Sequence, residues 1–350
     1  MPLPSDHPLV DGRTADSRLV RAYRGDRPEV TPVWFMRQAG RSLPEYRELR
    51  QGNEMLEACL TPSLASEITL QPVRRHHVDA AIFFSDIVIP AKLAGVEVAI
   101  VPGKGPVFAN PIRTASDVAA LRPIDPDSLA PITEAIGMTV AELGSTPLIG
   151  FAGAPFTLAS YMVEGGPSKD QQRARTLMYS DPQTWATLLN WCADVAGEFL
   201  KAQVLAGASA AQLFDSWVGS LSEQQYVRRV APHSKRALSH LRGLDVPKVH
   251  FGVGSGEVLK AMYDIGADVM GVDWRIPLDV AEERLGGGIP LQGNIDPALL
   301  GAPWHVLEAH VRDVMDRGLA APAHVVNLGH GVPPDTDPDV LTRIVELVHS

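Results

Sequence analysis

Cysteine, excess positive charge and long apolar runs are all scarce in this sequence. Only Cys59 and Cys192 are present, so at most one disulfide can form and no cysteine-based metal cluster can be assembled, which fits a reducing compartment. The formal net charge of -10 argues against non-specific nucleic-acid binding, which requires a basic surface. No stretch approaches the length of a membrane span, and the N-terminus lacks the segments of a signal peptide. These absences predict a cytoplasmic protein with no nucleic-acid or membrane partner.

The composition is that of a globular chain with a large core. Of the 350 residues, 45% are hydrophobic and 21% are charged, and the mean hydropathy is +0.01. Such a chain can bury one large α/β core or two smaller ones. No linker interrupts it, so we expect a single domain over residues 1–350. Residues 1–30 are expected to form an irregular leader with one short helix, Ser17 to Arg24.

Short apolar runs recur along the chain, and nearly every run ends in small or polar residues. Helical patterns separate them, most clearly from Asp181 to Ala206, where Asp181 caps the helix, Pro182 starts it and Gly207 ends it. The predicted strands are Val33–Met36, Ala80–Phe84, Leu148–Phe151, Ala208–Phe214, Val249–Phe251, Ala267–Val272, Ile289–Leu291 and His324–Leu328.

Eight such strands alternating with helices predict an α/β fold, a single (β/α)8 TIM-type barrel. A doubly wound open sheet is the alternative. The segment from Lys92 to Ala120 contains several Gly and Pro residues, and we expect it to be a small insertion after strand two that forms a hairpin. Further helix starts are expected at Asp296-Pro297 and Asp337-Pro338.

Polar residues at the strand ends are the candidate site, because catalytic groups in a barrel stand at the C-terminal ends of its strands. The RQAGR segment at residues 37–41 follows the first run. It would place two guanidinium groups and the amides of a Gly-containing turn at one strand mouth, an arrangement suited to carboxylates. The alternative is that both arginines pair with Glu45 and Glu48 on a solvated loop.

Four more candidates follow other strands. Asp86 could accept hydrogen bonds from N–H donors or stabilise a developing cation, or it could simply cap a turn. Ser216 lacks a G-x-S-x-G elbow, so a hydrogen-bonding role is more economical than a nucleophilic one. Tyr161, about one turn into a helix, would by default be a packing residue. His330 lies between two glycines, which favours an exposed, functional ring, whereas the other histidines, including His76-His77, are expected at the surface.

Five segments together resemble the uroporphyrinogen decarboxylase family. PVWFMRQAGRSLPEYR is similar to the N-terminal signature of the family, and GFAGAPFTLASYMVEGG is similar to its second signature. QLFDSWVG, LQGNIDP and NLGHGV are similar to later blocks of the family. The resemblance runs in register from about Arg18 to the C-terminus. One departure is Ser42, where the family often has an aromatic residue, and this change is expected to alter the lid over the substrate.

The resemblance implies a single barrel, usually a homodimer, that uses neither a metal nor an organic cofactor. The implied activity is decarboxylation of the four acetate side chains of uroporphyrinogen III to methyl groups, which gives coproporphyrinogen III. Arg37 and Arg41 would bind substrate carboxylates, and Asp86 would accept hydrogen bonds from the pyrrole N–H groups. Asp86 and Arg37 would be the catalytic residues, although arginine is an awkward proton donor because of its very high pKa. The implied substrate-binding residues are Arg37, Gln38, Ala39, Gly40, Arg41, Asp86, Tyr161, Ser216 and His330.

Two other functions remain open at this point. A zinc-dependent methyltransferase of the same wider superfamily would need a His-x-Cys pair and a further cysteine, but Glu57 and Asn190 stand two places before the cysteines. A non-catalytic tetrapyrrole carrier would bind in the same cleft without reaction, although Asp86 beside both arginines is more than binding alone requires.

Overall fold

The structure is a computed structural model that describes residues 2–350, and its strands form one curled parallel sheet and one hairpin. Within those residues the strands are β1 (Ala81–Ile82), β2 (Val98–Val101), β3 (Gly105–Phe108), β4 (Leu148–Gly153), β5 (Ala210–Asp215), β6 (Lys248–Gly252), β7 (Val269–Gly271), β8 (Leu291–Ile295) and β9 (His324–Leu328). The sheet has 7 strands in the order β1-β4-β5-β6-β7-β8-β9, and every neighbouring pair is parallel. The antiparallel pair β2 and β3 confirms the hairpin predicted between Lys92 and Ala120.

Helices connect the strands, as the alternating pattern predicts. In residues 2–350 the α-helices are α1 (Arg18–Tyr23), α2 (Pro44–Leu49), α3 (Met55–Leu60), α4 (Pro62–His76), α5 (Ile89–Leu93), α6 (Ala115–Ala119), α7 (Ala130–Leu143), α8 (Pro155–Glu164), α9 (Gln172–Ser180), α10 (Pro182–Leu205), α11 (Glu223–Arg229), α12 (Ala231–Ser239), α13 (Leu259–Tyr263), α14 (Leu278–Leu285), α15 (Trp304–Gly318) and α16 (Pro338–Val348). Short 3-10 helices cover Pro126–Leu129, Val218–Ser220 and Pro297–Gly301.

The helix starts follow the capping residues of the sequence. In α10 the backbone N–H of Thr184 donates to Asp181 Oδ1 at 3.1 Å, and the apolar stripe of this helix is buried, as predicted. Asp337 caps α16. Asp296 caps a 3-10 helix rather than the expected α-helix. Ser17 caps α1, which confirms the short helix expected in the leader.

The first predicted strand, Val33–Met36, does not form a regular strand. Val33 makes a single parallel bridge to Val326 in β9, and its carbonyl accepts from the N–H of Asp79, just before β1, at 2.9 Å. Two donors that a strand would offer its neighbours go to side chains instead: Phe35 N–H donates to Gln38 Oε1 at 2.9 Å, and Met36 N–H donates to Asn327 Oδ1 at 2.9 Å. The segment therefore contacts both edges of a 7-stranded sheet without extending its ladder.

The strand β8 also differs from its prediction. The apolar run was expected to end at Leu291, but the strand continues through the polar residues that follow. Gln292 is fully buried, accepts from Trp34 Nε1 at 3.1 Å and from the Tyr23 hydroxyl, and donates to Gln212 at 3.2 Å. Because a buried polar side chain is tolerated when its hydrogen bonds are made, polarity alone did not mark the end of this strand. Tyr23 also shows that the leader packs into the core.

Candidate active site

The candidate side chains lie beyond the C-terminal ends of the parallel strands, where such ends meet at one edge of a sheet. Their positions are Asp86 after β1, Tyr161 in α8 after β4, Ser216 directly after β5, His330 after β9, and the turn at residues 37–41 after the Val33 bridge. This arrangement is the one that the sequence predicts for the site.

Electrostatic influence ties four of these residues together. The positive charge of Arg37 lowers the pKa of Asp86, of Tyr161 and of His330, and the negative charge of Asp86 raises the pKa of Tyr161. This mutual influence agrees with the position of Arg37, Asp86, Tyr161 and His330 at one edge of the sheet, beyond the C-terminal ends of the strands.

The turn that carries the arginines is held from inside the protein. Gln38 is fully buried, and its Nε2 donates to the carbonyl of Ala80, next to β1, at 3.0 Å, while its Oε1 accepts from Phe35 N–H. Arg37 has a φ of +62°, a left-handed conformation that is unusual for a residue with a Cβ. The Gln38 side chain thus fixes the turn from inside. Only the backbone of Gln38, and not its side chain, can then face a ligand.

Both arginines are available to an anion. Arg37 and Arg41 are exposed, and neither guanidinium has an ion pair or hydrogen bond with any residue from 2 to 350. The alternative pairing with Glu45 is wrong, because Glu45 binds Arg75 with distances of 2.7 and 2.9 Å. Glu48 pairs with neither arginine within the same described range.

The side chain of Arg37 lies across the loop that follows β9. A Cβ added to Gly331 would clash with Cδ of Arg37, so the glycine at this position allows the arginine to approach. The N–H of Val332 donates to the Met36 carbonyl at 2.9 Å and fixes the same approach from the backbone. The two sequence motifs RQAGR and GHG are therefore in direct contact.

Asp86 is a partly buried carboxylate in an apolar setting, next to the buried Phe83 and Phe84. Burial raises its pKa, and the backbone N–H of Val88 and the charge of Arg37 lower it. The Val88 N–H donates to Oδ1 at 3.0 Å, which is the turn-capping contact weighed as the alternative. This contact occupies one oxygen, so the other remains open to a donor or a cation in the cleft.

Tyr161 stacks on Trp217, the residue that follows Ser216. The ring of Tyr161 lies 3.8 Å from that of Trp217, centroid to centroid, at an interplanar angle of 23°. Burial and then the charge of Asp86 raise the pKa of Tyr161 to about 12, so its phenol is a neutral hydrogen-bond donor at pH 7. Ser216 immediately precedes Trp217 and is half-buried.

A buried acid supports that stack. The Trp217 N–H donates to Thr157 Oγ1 at 3.3 Å, and the Thr157 hydroxyl donates to Asp215 Oδ1 at 2.7 Å. Asp215 is fully buried, and burial raises its pKa to about 7. Its second oxygen lies 3.9 Å from Nε2 of the fully buried His250.

His330 is half-buried rather than exposed as expected. Its ring meets the ring of Trp274 at a centroid distance of 6.4 Å and an angle of 89°. Burial, then Arg37 and Arg275, lower its pKa to about 4, against a smaller opposite effect of Asp273. The imidazole is therefore neutral at pH 7, with one nitrogen that donates and one that accepts.

Several residues of this region were missed by the sequence reasoning. Arg50 is half-buried, and its Nε is buried without a hydrogen-bond partner in residues 2–350; its charge and that of Asp86 both act on the pKa of the buried Cys59. Arg275, in the DWR segment after β7, could have been found, since it ends a predicted strand. The surface assignment of histidines was wrong for four of them, which are buried: His7, His76, His250 and His324.

Metal-ligating side chains are dispersed in the described part of the chain. No group of three or more His, Cys, Asp or Glu residues that could hold a metal occurs between residues 2 and 350. Cys59 and Cys192 are both buried and free. In the same range no helix combines the length and apolarity that a membrane crossing requires.

The fold and site define a class: an α/β protein with a curled parallel sheet whose strand-end cleft is suited to a small molecule bearing carboxylates. Residues 14–350 match the family model described as uroporphyrinogen decarboxylase (URO-D). The chain belongs to that family, as the five sequence motifs predicted.

Similar proteins with curated names cover nearly the whole chain. It is 68% identical over 341 residues to a uroporphyrinogen decarboxylase from an Arthrobacter species, which spans 97% of this chain and 99% of that protein. It is 64% identical over 364 residues to the uroporphyrinogen decarboxylase of Leifsonia xyli, with 98% and 97% covered. A further relative of the same name, from Salinispora tropica, is 60% identical over 338 residues and covers 97% of this chain and 91% of its own.

Among solved structures the fold is similar to a methyltransferase from Methanosarcina mazei. The TM-score is 0.79 at 19% sequence identity, with 96% of this chain and 98% of that chain covered. A B12-independent methionine synthase from a Shewanella strain gives a TM-score of 0.55 at 11% identity, with 82% and 87% covered. At such low identities these likenesses concern the fold alone.

Proposed function

We propose that this chain is a carboxy-lyase that decarboxylates the four acetate side chains of uroporphyrinogen III to methyl groups, giving coproporphyrinogen III in porphyrin biosynthesis. Membership of the family and the 68% identity to a relative of that name support the activity. The observation that carries it is that Arg37, a guanidinium without an ion pair in residues 2–350, and the carboxylate of Asp86 stand at the same strand-end edge of the sheet, where the charge of Arg37 lowers the pKa of Asp86. The guanidinium of Arg37 suits the acidic side chains of the substrate, and the carboxylate of Asp86 suits the cationic ring that decarboxylation requires.

The substrate is bound through its carboxylates. Arg37 and Arg41 provide two exposed guanidinium forks, and such forks bind carboxylates in bidentate fashion. The backbone around Gln38, Ala39 and Gly40 adds N–H groups, of which those of Ala39 and Gly40 have no acceptor in residues 2–350. Tyr161, Ser216 and His330 contact further carboxylates as neutral donors, so they add no charge that changes near pH 7.

Decarboxylation proceeds through a protonated pyrrole. A proton added to the α-carbon of the ring, next to the carbon that bears the acetate, turns the pyrrole into a cation with a conjugated C=N⁺ bond. This bond accepts the electron pair of the breaking C–C bond as CO2 leaves and an exocyclic C=CH2 bond forms. A second proton then adds to the methylene carbon and gives the methyl group, and the first proton leaves the α-carbon, so the pyrrole is restored and one proton is consumed for each CO2 released. The pyrrole is its own electron sink, so no organic cofactor has to supply one.

Asp86 stabilises the cation and thereby lowers the barrier. Its carboxylate is fixed by Val88 N–H, and it accepts from the pyrrole N–H groups before and during reaction. Because the ring gains charge only on the way to the transition state, a fixed carboxylate stabilises that state more than the neutral substrate.

The proton donor is proposed to be a water molecule held by Arg37, or Arg37 itself. His330, whose pKa is lowered to about 4, is not an imidazolium at neutral pH, and Tyr161, with its pKa raised to about 12, is a weak acid. The arginine side chain is an even weaker acid than the phenol of tyrosine. Of the two proposed donors, the water molecule held by Arg37 is therefore favoured over Arg37 itself.

The proposal extends to architecture and assembly. The segment from Pro32 to Met36 takes the place of an eighth strand and closes the sheet into a (β/α)8-type barrel, supported by its hydrogen bonds to Val326 and Asp79 at the two edges. The chain acts as a single domain and as a homodimer in the cytoplasm, without metal or organic cofactor, as the family resemblance implies.

Anaerobic turnover tests the function directly. Purified, EDTA-treated protein is incubated with uroporphyrinogen III, and the products are oxidised and separated by carboxylate number. Stepwise loss from eight carboxylates through seven, six and five to four is the expected result. Binding without loss of any carboxylate would instead identify a tetrapyrrole carrier, and activity that appears only with added zinc and a corrinoid acceptor would identify a methyltransferase.

A further inference from the structure

The loop after β7 carries a guanidinium to which the proposed mechanism assigns no task. Arg275 follows Asp273 and Trp274 directly, and its Cζ lies 3.9 Å from the centre of the Trp274 ring. That ring in turn meets the ring of His330 edge to face, at 6.4 Å between centroids. A continuous chain of contacts therefore leads from Arg275 to a residue of the proposed site.

Arg275 is held in place before any ligand binds. Its Nη1 donates to Asp273 Oδ2, and Asp273 is 1% exposed and accepts a second hydrogen bond from the N–H of Gly254 at 2.6 Å. The cation–π contact with the Trp274 ring further restricts the guanidinium. Little conformational entropy is left to lose when an anion binds to such a group.

The guanidinium also keeps donors free. The side chain is 49% exposed, and Nε and Nη2 have no hydrogen-bond partner in residues 2–350. Arg312 on α15 is a useful contrast, since it is similarly exposed at 57% but directs both Nε and Nη2 to Glu308 at 3.2 and 2.9 Å. Arg275 can thus bind a carboxylate through Nε and Nη2 without first breaking an ion pair at these two atoms.

The charge of the substrate calls for more cations than the sequence motifs supply. Uroporphyrinogen bears four acetate and four propionate side chains, whereas the RQAGR turn offers two guanidinium groups. Resting on the proposed function, we propose that Arg275 binds one of the propionate carboxylates, which survive the reaction, at the rim of the cleft. The assignment to a propionate follows from position: Asp86 follows β1 and Arg275 follows β7, and three strands, β4, β5 and β6, lie between these two in the sheet, so the reacting acetate beside Asp86 is remote from Arg275.

The test compares Arg275→Gln and Arg275→Lys with the control Arg312→Gln. Turnover of uroporphyrinogen gives KM and kcat, and anaerobic equilibrium binding of coproporphyrinogen, which keeps only the propionates, gives Kd. We expect Arg275→Gln to raise both KM and Kd by about tenfold, the effect of a charge-assisted hydrogen bond, with kcat within about twofold of the original. Arg275→Lys should recover part of the loss, and the control should change nothing.

Each other outcome has a distinct meaning. If Arg275→Gln behaves like Arg312→Gln, Arg275 binds no carboxylate. If KM rises but Kd for coproporphyrinogen is unchanged, the partner is an acetate and the propionate assignment is wrong. If kcat and the melting temperature fall while KM and Kd hold, Arg275 serves only to neutralise Asp273. Failure of the unaltered protein to decarboxylate would refute the proposed function alone, because Kd is measured without turnover.

Discussion

The buried pair Asp215 and His250 is expected to share one proton in the folded protein, and replacing either partner should expose an opposite dependence of stability on pH. Burial raises the pKa of Asp215 from 3.8 to about 7 and lowers the pKa of His250 from 6.5 to about 4. At pH 5.5 the folded pair therefore holds one proton, on the acid. The unfolded chain also holds one, on the histidine, so folding neither takes up nor releases a proton at the pair.

The two contributions cancel only while both residues are present. Alone, Asp215 stabilises the fold below pH 3.8, and this stability is lost as the pH rises through about 7. Alone, His250 stabilises the fold above pH 6.5, and this stability is lost as the pH falls through about 4. Each bound proton changes the free energy of unfolding by about 1.4 kcal/mol per pH unit. Between pH 4.5 and 6.5, each residue alone therefore changes this free energy by about 2–3 kcal/mol.

The variants are chosen to keep the remaining contacts. Asp215→Asn can still accept from Thr157, and His250→Asn can still donate to the Met262 carbonyl, which now binds His250 Nδ1 at 3.1 Å. Urea unfolding followed by tryptophan fluorescence at pH 4.5, 5.5 and 6.5 gives the free energy of unfolding. Relative to the original chain, Asp215→Asn should gain stability as the pH rises and His250→Asn should lose it. Parallel curves for the two variants would refute the shared proton.

Three further predictions concern the site. Asp86→Asn keeps the shape but removes the charge, and should lower kcat by about 10² to 10³, the usual cost of one lost transition-state contact, while KM changes little; a kcat near the original would show that the charge has no electrostatic role. Gly331→Ala should displace Arg37 and raise KM, whereas Gly301→Ala, where a Cβ meets nothing within 4 Å, should leave KM unchanged; equal KM values would contradict the contact. Gln38→Ala removes two buried hydrogen bonds and should lower the free energy of unfolding by about 2 kcal/mol, measured by urea unfolding, and a loss below 0.5 kcal/mol, within the usual range for surface substitutions, would mean that the turn is held by its backbone.

Local sequence pattern predicted most of the sheet because the interior of a parallel sheet demands continuous apolar runs. It failed where a side chain replaced a backbone partner. The N–H groups of Phe35 and Met36 bond to Gln38 and Asn327, and the second of these partners lies 291 residues away. No local pattern records such a distant acceptor, so the first run was predicted as an ordinary strand.

The site divides in the same way. The positions of Asp86 and His330 followed from the barrel prediction, because each stands just beyond a strand, and Arg37 follows the run that bridges to β9. Tyr161 lies within α8, and only the family resemblance implied a role for it in the site. The inward direction of Gln38 did not follow, since a glutamine between arginine and alanine looks like part of a polar loop. The electrostatic state of each residue also depends on burial and neighbours in three dimensions, which spacing along the chain does not give.

These electrostatic states suit a substrate that loses charge as it is processed. With His330 neutral above about pH 4 and Tyr161 neutral below about 12, the cations gathered at the cleft are guanidinium groups, whose charge is constant over the working range. Each decarboxylation converts an acetate to a methyl group but leaves the propionates, so a guanidinium that binds propionates finds a partner at every one of the four steps. A guanidinium beside Asp86 instead has to release one carboxylate and receive the next. We therefore propose that Arg275 helps to retain the ring, whereas Arg37 binds each reacting acetate in turn. Only the binding at Arg37 should weaken as the number of carboxylates falls.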